Sequence, residues 1–474
     1  MAAVAAGSRK LEGTYSIPVA PVSTYQFKSV ADENQGTTKQ NIPFIYTPHP
    51  VIGLSPEALD KYIVGNDPDT GKPVIDEIID VLTKPIKEKK VAAGAPVAVK
   101  TAPTELFLKP DTEDNLQRLF YERGWTDGLP IILPTEERVK KMLAGTSASP
   151  DEVVAESFKF DTREMVKYTV SNIAVIAVMA GAKPEYFPVI LALAATRQSS
   201  LMPSTTPFEA MVLVNGPIRN EIGMNCGIGA FSAVNMANSV IGRAWTLMSI
   251  AHGFAKPRQT LWSSQGNNHT YNNMCCAENE ERSVWEPFHV TKGFKAEESV
   301  VSIFRGWTFV NSTGAASNRS VTEELNIELS VMPPLNSSAT IIMDPLVARN
   351  LKENEGFKTK LDFCKHLSKN IKMKNGQFWK TDYIDMLVAS AAYNGVEPYA
   401  SWKKLPDDAL IAPYHIPENI NIIVVGGETS PLWKCADYGY SGSAPVDKWR
   451  AHPAGAECKD SECGLPDAPG EYDK

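Results

Sequence analysis

The side chains best able to do chemistry are concentrated in one stretch, residues 265–294, QGNNHTYNNMCCAENEERSVWEPFHVTKGF. It holds two histidines (His269, His289), two adjacent cysteines (Cys275, Cys276) and four closely spaced carboxylates (Glu278, Glu280, Glu281, Glu286), beside an aromatic anchor, Trp285. The histidines and cysteines are soft or borderline metal ligands and the glutamates hard ones, although the spacing matches no CxxC or HxxxH pattern. His269 and Cys276 are the candidate ligands for a divalent metal. The cysteine pair has two other uses: a strained vicinal disulfide, or a nucleophilic thiol activated by His289. The bland alternative is that buried cysteine is a small inert hydrophobe. Carboxylates at this density repel. That raises at least one pKa and equips Glu278, Glu280 or Glu281 as a general acid or base. The alternative is a solvated acidic turn that opens a helix.

Further candidates lie outside this stretch. Asn215 and Arg219 follow an apolar run in LVNGPIR, where a guanidinium can fork a carboxylate or phosphate. Arg243 sits in a helix of small and apolar residues, so it needs a partner, either a structural glutamate or an anionic ligand. Cys226 lies in a Gly-flanked turn of the kind whose N–H groups can cradle an anion. Gly426, Gly427, Thr429 and Ser430 form a similar turn, which with Ser441-Gly442-Ser443 could hold a phosphate or carboxylate. No GxGxxG fingerprint or phosphate loop occurs, so no nucleotide cofactor is expected. The absence of GxSxG and HExxH takes weight from the ordinary hydrolase and metalloprotease classes.

Three stretches have the pattern needed to position these groups: FEAMVLVNGPIRNEIGM (208–224), SATIIMDPLVARNL (338–351) and NINIIVVGGETSPLW (421–433). Each runs from a β-rich apolar segment into a Gly/Pro turn, and the first two continue toward a helix. This predicts an α/β fold with a mixed sheet built from strand–turn–helix units, with an internal repeat as one reading. The turns Asn215-Gly216-Pro217, Met343-Asp344-Pro345 and Gly426-Gly427-Glu428 would then face a common cleft beyond the strand carboxyl ends. Elsewhere, a helix over 111–124 is capped by Asp111 or Thr112. A turn at 125–128, a short strand at Ile131-Ile132-Leu133 and a helix capped at Thr135 follow. Residues 163–197 read as a buried helical hairpin, and 235–252 as a helix stopped by Gly253.

The chain has 474 residues, ordinary hydrophobic content and a net charge of −8. The charge and the lack of a basic block argue against a nucleic-acid partner. No apolar run of membrane-spanning length occurs. The start reads as a mature cytosolic N-terminus rather than a signal peptide, which predicts a cytoplasmic protein. Seven irregularly spaced cysteines do not suggest a disulfide scaffold, and Asn318-Arg319-Ser320 is a weak glycosylation match. The expected division is an N-terminal arm and linker (1–110), an α/β core (111–434) and a Gly/Ser-rich loop and tail (435–474). The arm contains two short helices, one opened by Ser55-Pro56 and one over 74–83, before linker-like residues 84–104. The segment reads either as an arm lying across the main body or a neighbouring subunit, or as a partly disordered tail; a held arm favours a homo-oligomer.

WTDGLPIILPTEERV (125–139), NIAVIAVMAGAKPEYFPVILAL (172–193), LVNGPIRNEIGMNCG (213–227), ANSVIGRAW (237–245) and CAENEERSVWEPFHVTKGF (276–294) resemble segments of a bacterial protein group carrying WxDGLPxxxPT, AVMAGxxPEYxPV, NGPIR, IGRA and AENEExxxWEPxHV. Some of that group resemble, or are joined to, the UGSC-like domain. The resemblance covers about 111–310. It implies shared site elements at Asn215, Arg219, Arg243, Glu278, Asn279, Glu280, Glu281 and His289, and hints at thiol or selenol chemistry. This chain departs from the latter, because Gly442-Ser443 is followed by Ala444.

The resulting expectation is an enzyme acting on a small anionic organic substrate, by acid–base or by thiol- or metal-assisted hydrolysis or elimination. The rivals are a thiol-redox or metal-thiolate protein using Cys275 and Cys276, and a non-catalytic oligomeric assembly protein.

Overall fold

The computed structural model describes residues 107–452, with short gaps at 160–163, 203, 253–254, 258–259, 271–273, 313 and 315–319, together with parts of residues 8–85. Most of the 84–104 linker, the helix stop at Gly253, the acceptor Asn318 and the tail from 453 lie outside the described residues. The chain forms two units: Met1–Pro110 with Phe158–Met165, and Asp111–Ser157 with Val166–Lys474.

In the first unit, strands β1 (Val22–Thr24) and β2 (Ile45–Thr47) pair in parallel. Helix α1 (Pro56–Ile63) starts at Ser55, whose hydroxyl accepts the Ala58 N–H, and α2 spans Val74–Thr83, both as their sequence signals predict. Between them Asp67 is fully buried and accepts N–H groups from Tyr46 and Asp69 at 2.5 and 2.6 Å. One carboxylate thereby ties the turn to β2.

The second unit opens with α3 (Glu113–Glu122), capped by Thr112, and α4 (Glu136–Leu143), capped by Thr135. The strand expected at 131–133 is absent. The Gln117 amide clasps both backbone groups of Ile131, and the Ile132 N–H donates to Met179, so no ladder partner is needed. The helical hairpin expected from residue 163 also needs correction. Residues 164–169 form strand β4 (Glu164–Thr169), paired with β3 (Val153–Lys159). Helix α5 (Val170–Ala180) begins only where Thr169 and Asn172 close a capping box, and α6 (Phe187–Ala195) completes the pair. Val166 and Tyr168, just before the cap, favour a pleated strand over a helix.

The remaining chain builds two sheets. In order it forms β5 (Glu209–Asn215), α7 (Ile218–Glu221), α8 (Met236–Ala251), β6 (Met274–Ala277), α9 (Phe288–Thr291), β7 (Val300–Gly306) and β8 (Phe309–Asn311). Then come α10 (Val321–Ser330), β9 (Ala339–Met343), α11 (Pro345–Glu353) and α12 (Lys360–Asn370). A minor antiparallel pair, β10 (Met373–Lys374) and β11 (Leu410–Ile411), brackets a small helical insertion before β12 (Ile420–Val424), β13 (Trp433–Ala436) and β14 (Gly439–Pro445). The Gly/Ser-rich stretch expected as loop is therefore strand β14.

The sheets have the orders β6-β5-β7-β14 and β12-β9-β13-β8. Read this way they match strand for strand. The first strand (β5 or β9) is parallel to the second (β6 or β12) and antiparallel to the third (β7 or β13), and the fourth strand is antiparallel to the third. The fourth strands are exchanged: β8 follows β7 but pairs in the second sheet, and β14 follows β13 but pairs in the first. The two halves are thus topological copies joined by a strand swap.

The sheets pack face to face. Met211, Leu213, Cys276 and Phe304 of one meet Ile342, Ile423 and Ala436 of the other. The outer face of the second sheet, including Ile341, Ile422 and Trp433, lies under Leu325, Val347 and Phe363 of α10, α11 and α12. Helices α6 and α8 cover the first sheet. Helix, sheet, sheet and helix form four layers, so the central strands are buried on both faces and read as continuous apolar runs. Among the described residues no helix is long and apolar enough to cross a membrane.

Candidate functional site

The carboxyl ends of both parallel pairs converge, and most of the residues singled out from the sequence meet there. Asn215 ends β5, and its amide donates to Glu278 Oε2 at 2.8 Å and to Glu280 Oε1 at 2.9 Å. Gly216 turns the chain at φ +83°, where an added Cβ would stand 2.2 Å from the Glu298 carbonyl oxygen, so only glycine fits. Its N–H also donates to Glu280 Oε1, at 2.8 Å. Arg219 on α7 is nearly fully buried. Its guanidinium grips Glu281 with two bonds of 2.8 and 2.7 Å, and its Nε lies 3.2 Å from Glu280, off the line of a good hydrogen bond.

Asn279 stitches this end to the other half. Its N–H donates to the Val424 carbonyl and its amide to the Gly426 carbonyl, both at 2.8 Å. Gly426 and Gly427 pass so close to their neighbours that an added Cβ would lie 2.2 Å from Asp344 Oδ2 at the first and 2.6 Å from the Ile228 backbone nitrogen at the second. Their conformation serves this close packing. Ser430, expected beside them as a ligand group, is exposed, and none of these contacts uses it.

The chemistry of this cluster differs from the expectation. Glu278 is fully buried and saturated by four donors: Asn215, the Phe288 and Val424 N–H groups, and Lys360 Nζ at 2.6 Å. Glu281 does not have a raised pKa. The Arg219 guanidinium holds it down at about 2. Every arginine here is matched to a carboxylate, Arg219 to Glu280 and Glu281 and both Arg282 and Arg349 to Glu428, so an anion could enter only by displacing one.

The remaining expectations need correction. Arg243 lies away from these strand ends and clamps the turn at 127–130, with bonds of 2.8 and 3.0 Å to Asp127 and 2.7 Å to the Pro130 carbonyl. Its partner is structural. Cys275 and Cys276 are buried, free thiols on β6, and burial raises both pKa values. Successive strand residues face opposite ways, so Cys276 enters the core between the sheets and Cys275 points to the other face. This geometry suits neither a vicinal disulfide nor an activated nucleophile. His289 is also buried; its Nε2 bonds the Lys295 carbonyl at 3.0 Å and it makes no hydrogen bond to either cysteine. His269 pairs with Glu209 at the start of β5, whereas Cys276 lies beside Leu213, four residues further along that strand and roughly 13 Å away. The two cannot share a metal ion. Among the described residues no three His, Cys, Asp or Glu side chains converge as a metal site requires. Glu286 is exposed, while Trp285 is buried and donates to the Phe357 carbonyl, anchoring the loop as its sequence context predicts.

The opposite end of the sandwich holds a cavity of about 430 Å³, lined by residues that include Lys292, Arg305, Trp307, Asp437 and Tyr440. It lies where the exchanged strands cross over. Asp437 joins β13 to β14, and its Oδ1 accepts N–H groups from Trp307 and Thr308 of the other crossover, at 3.0 and 2.9 Å. Gly306 makes room for it, since a Cβ there would lie 2.4 Å from Asp437 Oδ1. Burial pushes the Asp437 pKa up to about 7.

Two cations share the cavity. Arg305 donates to Met202 Sδ at 3.2 Å and to the Ser199 carbonyl at 2.7 Å, and its Nε has no partner. Lys292 lies over the rings of Phe288 and Tyr440 at 5.1 and 4.8 Å. Neither cation has a carboxylate partner among the described residues, and burial lowers both pKa values.

The sequence reading missed this group. One signal was present: Arg305 interrupts the apolar run VVSIF, and a cation inside a buried strand demands a partner. No family model, curated protein or solved structure matches this chain.

Proposed function

We propose that the protein is an enzyme acting on a small organic anion bound in the crossover cavity, by acid–base chemistry of the elimination or hydrolysis class. The observation that carries this reading is the placement of Lys292, Arg305 and Asp437 around one cavity of about 430 Å³. That volume is within the usual range for small-molecule sites. The two cations lack carboxylate partners, so a ligand carboxylate or phosphate would supply the missing charge. Asp437 has the proton affinity a general acid or base needs near neutral pH, because the ideal catalytic pKa lies near the working pH. Trp307 and Tyr440 supply an apolar wall for the rest of the molecule.

This keeps the reaction class expected from the sequence and moves it to other residues. The glutamates at the carboxyl-end cluster are engaged in holding the two halves together, and Cys275 and Cys276 are enclosed. Calorimetric titration with oxalate tests the reading. Wild type should bind it, with affinity falling at least about tenfold in Arg305→Met, the loss expected for a charge-assisted hydrogen bond. Equal affinity in both proteins, or no binding to wild type, would remove the cavity from the mechanism.

A further inference from the structure

Lys292 offers this cavity more than charge. It has no carboxylate partner among the described residues, and burial lowers its pKa against the cation–π attraction of the Phe288 and Tyr440 rings, which favours the ammonium form. Lysines in such surroundings serve as nucleophilic amines. The cavity also brings in a cation to hold an acid group, Arg305, and a carboxyl able to give and take a proton, Asp437.

We infer that Lys292 forms a Schiff base with a small 2-oxo acid whose carboxylate is bound by Arg305, with Asp437 as proton carrier. This rests on the reading that the cavity takes a small organic anion. The neutral amine of Lys292 attacks the ketone carbon, and the carbonyl π pair moves to oxygen. Proton transfer from nitrogen to oxygen gives the carbinolamine. Protonated Asp437 then donates to the hydroxyl, water leaves, and a protonated C=N bond remains with Asp437 ionised.

In a 4-hydroxy-2-oxo acid, Asp437 next removes the 4-hydroxyl proton and the bond between carbons 3 and 4 breaks. Its electron pair flows into the C=N bond to give an enamine, and an aldehyde departs. Protonation of the enamine and hydrolysis by water return the free amine and a shorter 2-oxo acid. The sequence is redox-neutral and needs water alone as co-reactant.

The test is reductive trapping on the full chain. Pyruvate with cyanoborohydride should add the mass of the reduced pyruvate imine, mapped to the peptide containing Lys292. The adduct should be absent in Lys292→Met and form about a hundredfold more slowly in Asp437→Asn. Lys292→Arg, which keeps charge and length, gives the same reading if the methionine variant misfolds. Oxalate should compete with labelling. Oxalate binding without an adduct at Lys292 would overturn the Schiff base and leave the anion site standing. Neither binding nor adduct would overturn both, and an adduct confined to other lysines would overturn the assignment of Lys292.

Discussion

Glu281 and Glu428 occupy matching places in the two halves of the sandwich. Each lies four residues past a paired strand end, Ala277 opposite Val214 and Val424 opposite Met343. Each is gripped by an arginine from the helix after the partner strand, Arg219 on α7 and Arg349 on α11. Arg282, next to Glu281, crosses to Glu428 and joins the two ends. The carboxyl-end cluster is therefore a seam between two topological copies.

The seam's halves differ in burial, and their contributions to stability should differ accordingly. Arg219 is 4% exposed while Arg349 is 41% exposed. Removing a buried charge strands its partners at a cost of about 3 kcal/mol, whereas an exposed pair contributes under about 1 kcal/mol. Urea unfolding of Arg219→Met and Arg349→Met should show this ordering. Equal losses would mean that the seam does not bear on stability through Arg219.

The buried pair of Lys360 and Glu278 gives a sharper prediction. Lys360→Met leaves the fully buried Glu278 without its cation, a loss of about 3–5 kcal/mol. Adding Glu278→Gln should recover part of that loss, because the two residues act as one unit. Strict additivity in a double-mutant cycle would contradict the geometry.

Thiol reactivity should follow burial. Cys226 is partly exposed, whereas Cys275, Cys276, Cys364 and Cys435 are buried. Alkylation of native protein followed by peptide mapping should label Cys226 at least about a hundredfold faster than Cys275 or Cys276, because attack requires an accessible thiolate. Urea should abolish the difference. Rapid native labelling of Cys276 would contradict its place in the inter-sheet core.

Two buried groups titrate in opposite senses across the same pH window. The Asp437 pKa is raised from 3.8 to about 7, so its contribution to stability is full below about 4 and is lost as pH rises through 7. Burial lowers the His252 pKa from 6.5 to about 4, so its contribution is present above 6.5 and is lost as pH falls through 4. Their slopes largely cancel between pH 4 and 6.5. Relative to wild type, Asp437→Asn should become more stable as pH rises through this window, and His252→Gln less stable. Unfolding midpoints at pH 4.5 and 6.5, on the order of two pH units apart, would reveal parallel behaviour if either assignment is wrong.

The sequence alone determined the local elements. Ser55, Thr112 and Thr135 announced their helices, and the three apolar runs ending in Asn215, Asp344 and Gly426 announced central strands, because caps and buried-strand patterns are written in adjacent residues. The strand carboxyl ends brought the turns at Asn215, Asp344 and Gly426 together, while Asn279, Glu280 and Glu281 were joined to Asn215 and Arg219 only through the resemblance of the NGPIR and AENEE segments. The turn after Val424 told less, because nothing in Gly426-Gly427-Glu428 says that Asp344 and Ile228 will press against it.

Only the tertiary structure decided the rest. It buried Cys275 and Cys276, because a two-sided strand encloses both faces. It gave Arg243 to Asp127, a residue far away in sequence whose position depends on how two helices pack. It assembled Lys292, Arg305 and Asp437 at the strand exchange, and it alone raised the Asp437 pKa. Sequence spacing encodes which way a side chain leaves its own backbone, but burial and long-range charge pairing depend on which distant segments share a layer.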